Sequence, residues 1–191
     1  MRSSPPLALI LLTATALLGL ACAPLHSPAN GMGVLRTAPP DLEAQGPGTL
    51  FSSAEAAAVD ALTYSHLQAL EARQTERMRA GTIHRVGDGY SYDEIHLAGA
   101  VRRHQVSYTV KPQDVARFHV YPRGTDVVVN RANERPSRVD RRSVSLTDPL
   151  HRPLYILHPS LVIREYRGED HELVEVANLR RPDRAPLFAG R

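Results

Sequence analysis

A single cysteine sets the first limit on what this 191-residue chain can fold into. With Cys22 alone, no internal disulfide can form, so stability has to come from packing and backbone hydrogen bonds. A hydrophobic fraction of 42% is enough to build a core, and the length fits one domain. The net charge of +3 is too small to argue for a nucleic-acid partner. Lys111 is the only lysine, so arginine carries nearly all the positive charge. That bias reads first as coding preference.

The position of the cysteine matters as much as its number. It follows an apolar run, Leu7 to Ala21, that opens behind one basic residue, Arg2. A short charged start, an apolar stretch and small residues at the end make a secretory signal peptide. The stretch is short for a hydrocarbon layer that needs about 20 apolar residues. Leu18-Gly19-Leu20-Ala21-Cys22 resembles the lipobox of bacterial lipoproteins. Gly19 and Leu20 depart from its usual leucine and small residue. The resemblance implies cleavage before Cys22, a lipid on its thiol, and attachment to a membrane in the bacterial cell envelope. Ala23, where an aspartate is absent, implies the outer membrane, facing the periplasm.

The chain divides into a signal at 1–21, a tether at 22–50, a globular domain at 51–179 and a tail at 180–191. The tether is punctuated by Ala23-Pro24, Ser27-Pro28, Pro39-Pro40 and Gly46-Pro47-Gly48. Such a composition buries too little apolar surface to offset the entropy of ordering it. At Ser52-Ser53-Ala54-Glu55 a capping box opens an alanine-rich helix, expected over Ser53 to Arg77. Val59, Leu62, His66, Ala69 and Leu70 recur at helical spacing, which makes His66 a structural histidine on the buried stripe. Strands are expected at Thr82 to Val86, Tyr90 to Ala98, Gln105 to Val110, Arg117 to Tyr121, Asp126 to Asn130, Pro153 to Leu157, Leu161 to Tyr166 and His171 to Leu179. Gly87-Asp88-Gly89 is the hairpin turn, and His84 and His96 are expected to face each other across it. The sum is an α+β domain, an N-terminal helix packed on a mostly antiparallel sheet.

Three stretches carry a second resemblance. Phe118-His119-Val120-Tyr121-Pro122 stands where a Phe-His-x-His-Pro motif would be, Pro136-Ser137-Arg138-Val139-Asp140 matches Pro-Ser-x-x-Asp, and Pro153 to Tyr166 matches a closing strand pair. Together they resemble bacterial domains of unknown function related to the JAB/JAMM metalloproteases. In that fold two histidines and the aspartate hold zinc, and an upstream glutamate is the general base. The resemblance therefore implies a site at His119, Tyr121, Ser137 and Asp140, with Glu76 or Glu94 as possible base. Tyr121 replaces one histidine. A phenol of pKa near 10 is a poor zinc ligand at neutral pH, and catalytic zinc needs three protein ligands beside its water. No metal is expected; if zinc binds, His158 is a possible third ligand beside His119 and Asp140.

Three functions remain: a non-catalytic binding module with a protein partner in the envelope, a zinc peptidase or isopeptidase, or a structural lipoprotein with an unrelated α+β domain. The expected order is the one given, because an imidazole is missing. The cations Arg131, Arg135, Arg138, Arg141 and Arg142 read as a solvated loop.

Overall fold

The computed structural model describes residues 42–144, 148, 150–167 and 172–181. Cys22, the signal, most of the tether, His171 and most of the tail lie outside them. The elements run α1 (Ala54–Glu71), β1 (Arg79–Val86), β2 (Gly89–Ser91), β3 (His96–Leu97), β4 (Asp114–Val120), α2 (Val127–Ala132), α3 (Arg138–Arg142), β5 (Leu154–Leu157), β6 (Val162–Arg167) and β7 (Glu172–Asn178). They make an α+β domain. One seven-stranded sheet has the order β2-β1-β4-β5-β6-β7, with β3 also on β1. All its pairings are antiparallel except β4 with β5, which run parallel with Arg117 opposite Leu154 and Val120 opposite Leu157. Parallel neighbours cannot be joined by a tight turn. The chain between them becomes a crossover carrying α2 and α3.

The central strands are buried on both faces, so the period-2 alternation of β4 sorts residues between two cores. Ala116, Phe118 and Val120 join Ala57, Ala58, Ala61 and Leu62 of α1, with Tyr155 and Leu157 of β5. The three alanines are wholly buried, and their small side chains let the helix lie close to the sheet. On the opposite face Leu154 and Ile156 pack with Tyr121, Tyr166 and Val144 just past α3. His119 pairs with Ala80 and Ile156, which puts it on this second face. Gly81 lies opposite Phe118. A Cβ there would come within 2.5 Å of the Phe118 ring and 2.7 Å of the Glu94 carbonyl oxygen, so the close approach requires glycine.

The local differences from the sequence reading have local causes. Ser53 is the N-cap of α1, its side chain accepting from Ala56 N at 3.0 Å. Glu55 then falls one position short of the place from which a capping box closes. The helix stops at Glu71, well before Arg77, because Ala72 caps it and Arg73 turns left-handed at φ 53°. Asp126 to Asn130 is the start of a helix: Asp126 Oδ1 accepts from Val128 N at 2.8 Å and Val129 N at 3.1 Å, and this cap outweighs the strand preference of the valines. Gln105 to Val110 forms no strand. Tyr90 to Ala98 is broken into β2 and β3, whose registers on β1 differ by one residue. His84 consequently faces Ser91 and His96 faces Ala80, not each other.

The domain also begins earlier than residue 51. Asp60 on α1 accepts from Gln45 N at 2.7 Å and Gly46 N at 3.0 Å, and from the buried Tyr92 hydroxyl at 2.7 Å. Gly48 N donates to Tyr92 O at 2.9 Å, and Leu42 packs against the helix-side core. Residues 42–50, expected to belong to the tether, are thus fastened to the fold. Asp60→Ala strands the Tyr92 hydroxyl and loosens this segment. Unfolding in urea is expected to show a loss of about 2 kcal/mol; an unchanged midpoint would show that the segment contributes nothing.

Candidate functional site

Four residues named from the sequence meet at the C-terminal end of β4. His119 and Tyr121 extend from the same face of that strand, and the crossover brings Ser137 and Asp140 to them at the start of α3. The local reason is a cap. Ser137 is the N-cap of α3, accepting from Asp140 N at 3.1 Å, while its own N–H donates to Asp140 Oδ2 at 3.2 Å, a complete capping box. Asp140 is only 3% exposed. Its Oδ2 also accepts from the Ser137 hydroxyl at 2.5 Å and from the Tyr121 hydroxyl. The Tyr121 oxygen in turn accepts from Ser137 N at 2.7 Å. The other carboxylate oxygen, Oδ1, lies 2.8 Å from His119 Nδ1, a close contact too bent to be a hydrogen bond.

Electrostatics follow from this geometry. Burial pushes the Asp140 carboxyl up, but the His119 contact and the donors Ser137 and Tyr121 outweigh it and hold the pKa at about 2. Burial, and then the neighbouring Asp140 charge, pushes the Tyr121 phenol well above its ordinary value. The phenol stays protonated and acts as a donor.

One member of the cluster was missed from sequence. The Tyr108 hydroxyl lies 2.8 Å from His119 Nε2, with the two rings edge to face. The tautomer with its proton on Nδ1 leaves Nε2 to accept from the Tyr108 hydroxyl. Tyr108 stacks at 5.7 Å on His96, whose Nδ1 is 3.5 Å from Glu94. Tyr108 belongs to an irregular stretch with no motif around it, so nothing local marked it.

The two candidate bases lie elsewhere. Glu76 pairs with Arg103 at 3.8 Å, and the largely exposed Glu94 is connected to His119 only through His96 and Tyr108. His158 packs its ring edge-on against Tyr121 at 5.7 Å, and its Nδ1 meets Asn133 O at 2.8 Å. Among the described residues, no group of three His, Cys, Asp or Glu is placed to hold a metal ion.

The residues present do not fit the zinc that the second resemblance implies. Each ring nitrogen of His119 has a polar neighbour at 2.8 Å. Each oxygen of Asp140 is engaged by a donor or by His119. The third position is a protonated phenol. A metal would have to displace several of these contacts to gain two ligands. The chain has no significant match among family models, curated proteins or solved structures.

Proposed function

We propose that this chain is a lipid-anchored protein of the bacterial cell envelope whose domain binds a partner on a JAMM-like scaffold and performs no zinc chemistry. One observation carries the second half: the polar atoms of His119 and Asp140 are engaged by Tyr108, Tyr121, Ser137 and each other. In this reading the cluster is a buried clasp that holds the β4–β5 crossover to the sheet. A buried polar network rigidifies a structure and gives the crossover one arrangement, here through the hydrogen bonds of the Tyr121 and Ser137 hydroxyls to Asp140. The anchor rests on Leu18 to Cys22 closing the apolar signal. Acyl chains add about 0.8 kcal/mol per buried CH₂, and stable anchoring takes a second signal.

One preparation of the full chain in detergent tests both halves. Elemental analysis of the wild-type protein is expected to find no stoichiometric zinc, and Tyr121→His to raise zinc affinity by supplying a second imidazole beside His119. One zinc per wild-type chain would overturn the non-catalytic reading. Cys22→Ser is expected to release the protein from membranes or block its maturation. An unmodified N-terminus beyond Cys22 in the mass spectrum would overturn the anchor.

A further inference from the structure

The β4–β5 crossover leaves apolar side chains in water. None of the six residues of α2 is buried. Val127 and Val128 are 76% and 77% exposed, and Val139 on α3 is 75% exposed. Single exposed valines are ordinary. What sets these apart is the charge around them.

Asp126, Glu134 and Asp140 are the only carboxylates between Arg123 and Arg142. Each is engaged within the fold. Asp126 Oδ1 caps α2, Glu134 accepts from the Ser160 N–H and hydroxyl at 2.7 Å, and Asp140 belongs to the clasp. The arginines are not so engaged. Arg131, Arg135, Arg138 and Arg142 are exposed. Among the described residues no ion pair or hydrogen bond holds their guanidinium groups. Helical spacing mixes them with the valines. Val127 and Arg131 are four apart on α2, Val139 and Arg142 are three apart on α3, and Arg138 and Arg142 lie on the side of α3 away from the buried Asp140.

An occupant of this face must be negatively charged and must accept short aliphatic side chains. The centre of a protein interface is built on aromatic residues and methionine, with valine under-represented. Residues 123–142 contain no aromatic residue and no methionine. A bilayer with anionic headgroups asks for less: arginines at the level of the phosphates and apolar side chains at the acyl boundary. Such a surface is also within reach. In the anchored reading about 20 residues separate Cys22 from Leu42, a length of at most ~70 Å. A domain of this size is roughly 35 Å across.

We propose that the β4–β5 crossover docks on the headgroups of an anionic phospholipid bilayer through Arg131, Arg135, Arg138 and Arg142 and the exposed Val127, Val128 and Val139. The anchored reading supplies nearness only; the docking face is a separate claim.

The test reconstitutes the purified full chain on vesicles of phosphatidylcholine alone and of phosphatidylcholine mixed with phosphatidylglycerol. Hydrogen exchange read by mass spectrometry follows the amides of residues 127–142. Exchange there is expected to slow about tenfold on the mixed vesicles alone, and the slowing to disappear at high salt, which screens the headgroup charge. The triple variant Arg131→Gln, Arg138→Gln, Arg142→Gln is expected to lose the effect, and the pair Val127→Asn, Val128→Asn to reduce it. All five side chains are exposed, so the fold does not depend on them. Equal exchange on the two vesicles would overturn the proposal and leave an acidic protein as the occupant. So would slowing that survives high salt or the arginine variant. The anchor fails separately: a chain held by the mixed vesicles alone would support docking and speak against a lipid on Cys22.

Discussion

Replacing Asp140 by alanine is expected to destabilise the domain by about 4 kcal/mol, the usual range for removing one partner from a buried pair. Asp140 holds three groups at once, His119, Tyr121 and the start of α3. Its removal leaves the Tyr121 and Ser137 hydroxyls without their shared acceptor and His119 Nδ1 without its carboxylate neighbour. A domain of this size has about 5–15 kcal/mol in total, so the loss takes a large share of it. Urea unfolding reads it as a lower midpoint at unchanged slope. Asp140→Asn keeps the shape and one acceptor oxygen, and is expected to fall about halfway between. Acid gives a second view of the same group. Its folded pKa of about 2 is below the ordinary value of 3.8, so its contribution is complete above that value and is lost as the pH falls from there through 2. The amount lost is about 2 kcal/mol. If Asp140→Ala melts like the parent, the crossover is held by packing alone and the clasp is incidental.

A separate loss is expected at milder acidity. His66 has a folded pKa of about 4 against an ordinary 6.5, because burial and the nearby Arg123 and Arg79 disfavour its charged form. Between those two values the unfolded chain takes up a proton that the folded chain does not. Stability is therefore full above the ordinary value and declines as the pH falls to the folded one, by about 3 kcal/mol. His158, also lowered by burial first, works in the same direction. The check is a series of urea unfolding curves across that window, starting above neutrality. His66→Gln has no proton to take up, and its stability is expected to stay flatter over the same range. An equally steep decline in His66→Gln would place the titration elsewhere. The two acid effects separate by window, with His66 titrating at higher pH than Asp140.

Both predictions concern residues that the sequence could name and could not connect. His66 was visible because helical spacing places it in line with Leu62 and Ala69, and all three are buried in α1. The approach of Arg79 and Arg123 to it was not visible. Arg79 begins β1 and Arg123 follows β4, and neither is near His66 in the chain. The cationic run at 131–142 is legible because its arginines are clustered in sequence, while the arginines that share a pocket come from separate segments.

The sequence by itself determined what depends on neighbours in the chain. It specified the helix from alanine density and a serine cap, the hairpin from its glycine turn, the apolar strands, and the α+β class they add up to. It also singled out His119, Tyr121, Ser137 and Asp140 through short motifs. Only the tertiary structure decided what depends on pairing. It made β4 and β5 parallel, which forces the crossover that carries Asp140 to His119. It broke the hairpin strand with a one-residue register change, and it converted a valine-rich stretch to helix behind Asp126. It supplied Tyr108 to the second ring nitrogen of His119. The physical reason is range. Caps, turns and periodicity act over a few residues, whereas the state of a buried carboxylate or imidazole is set by whichever distant groups the folded sheet brings within hydrogen-bonding distance.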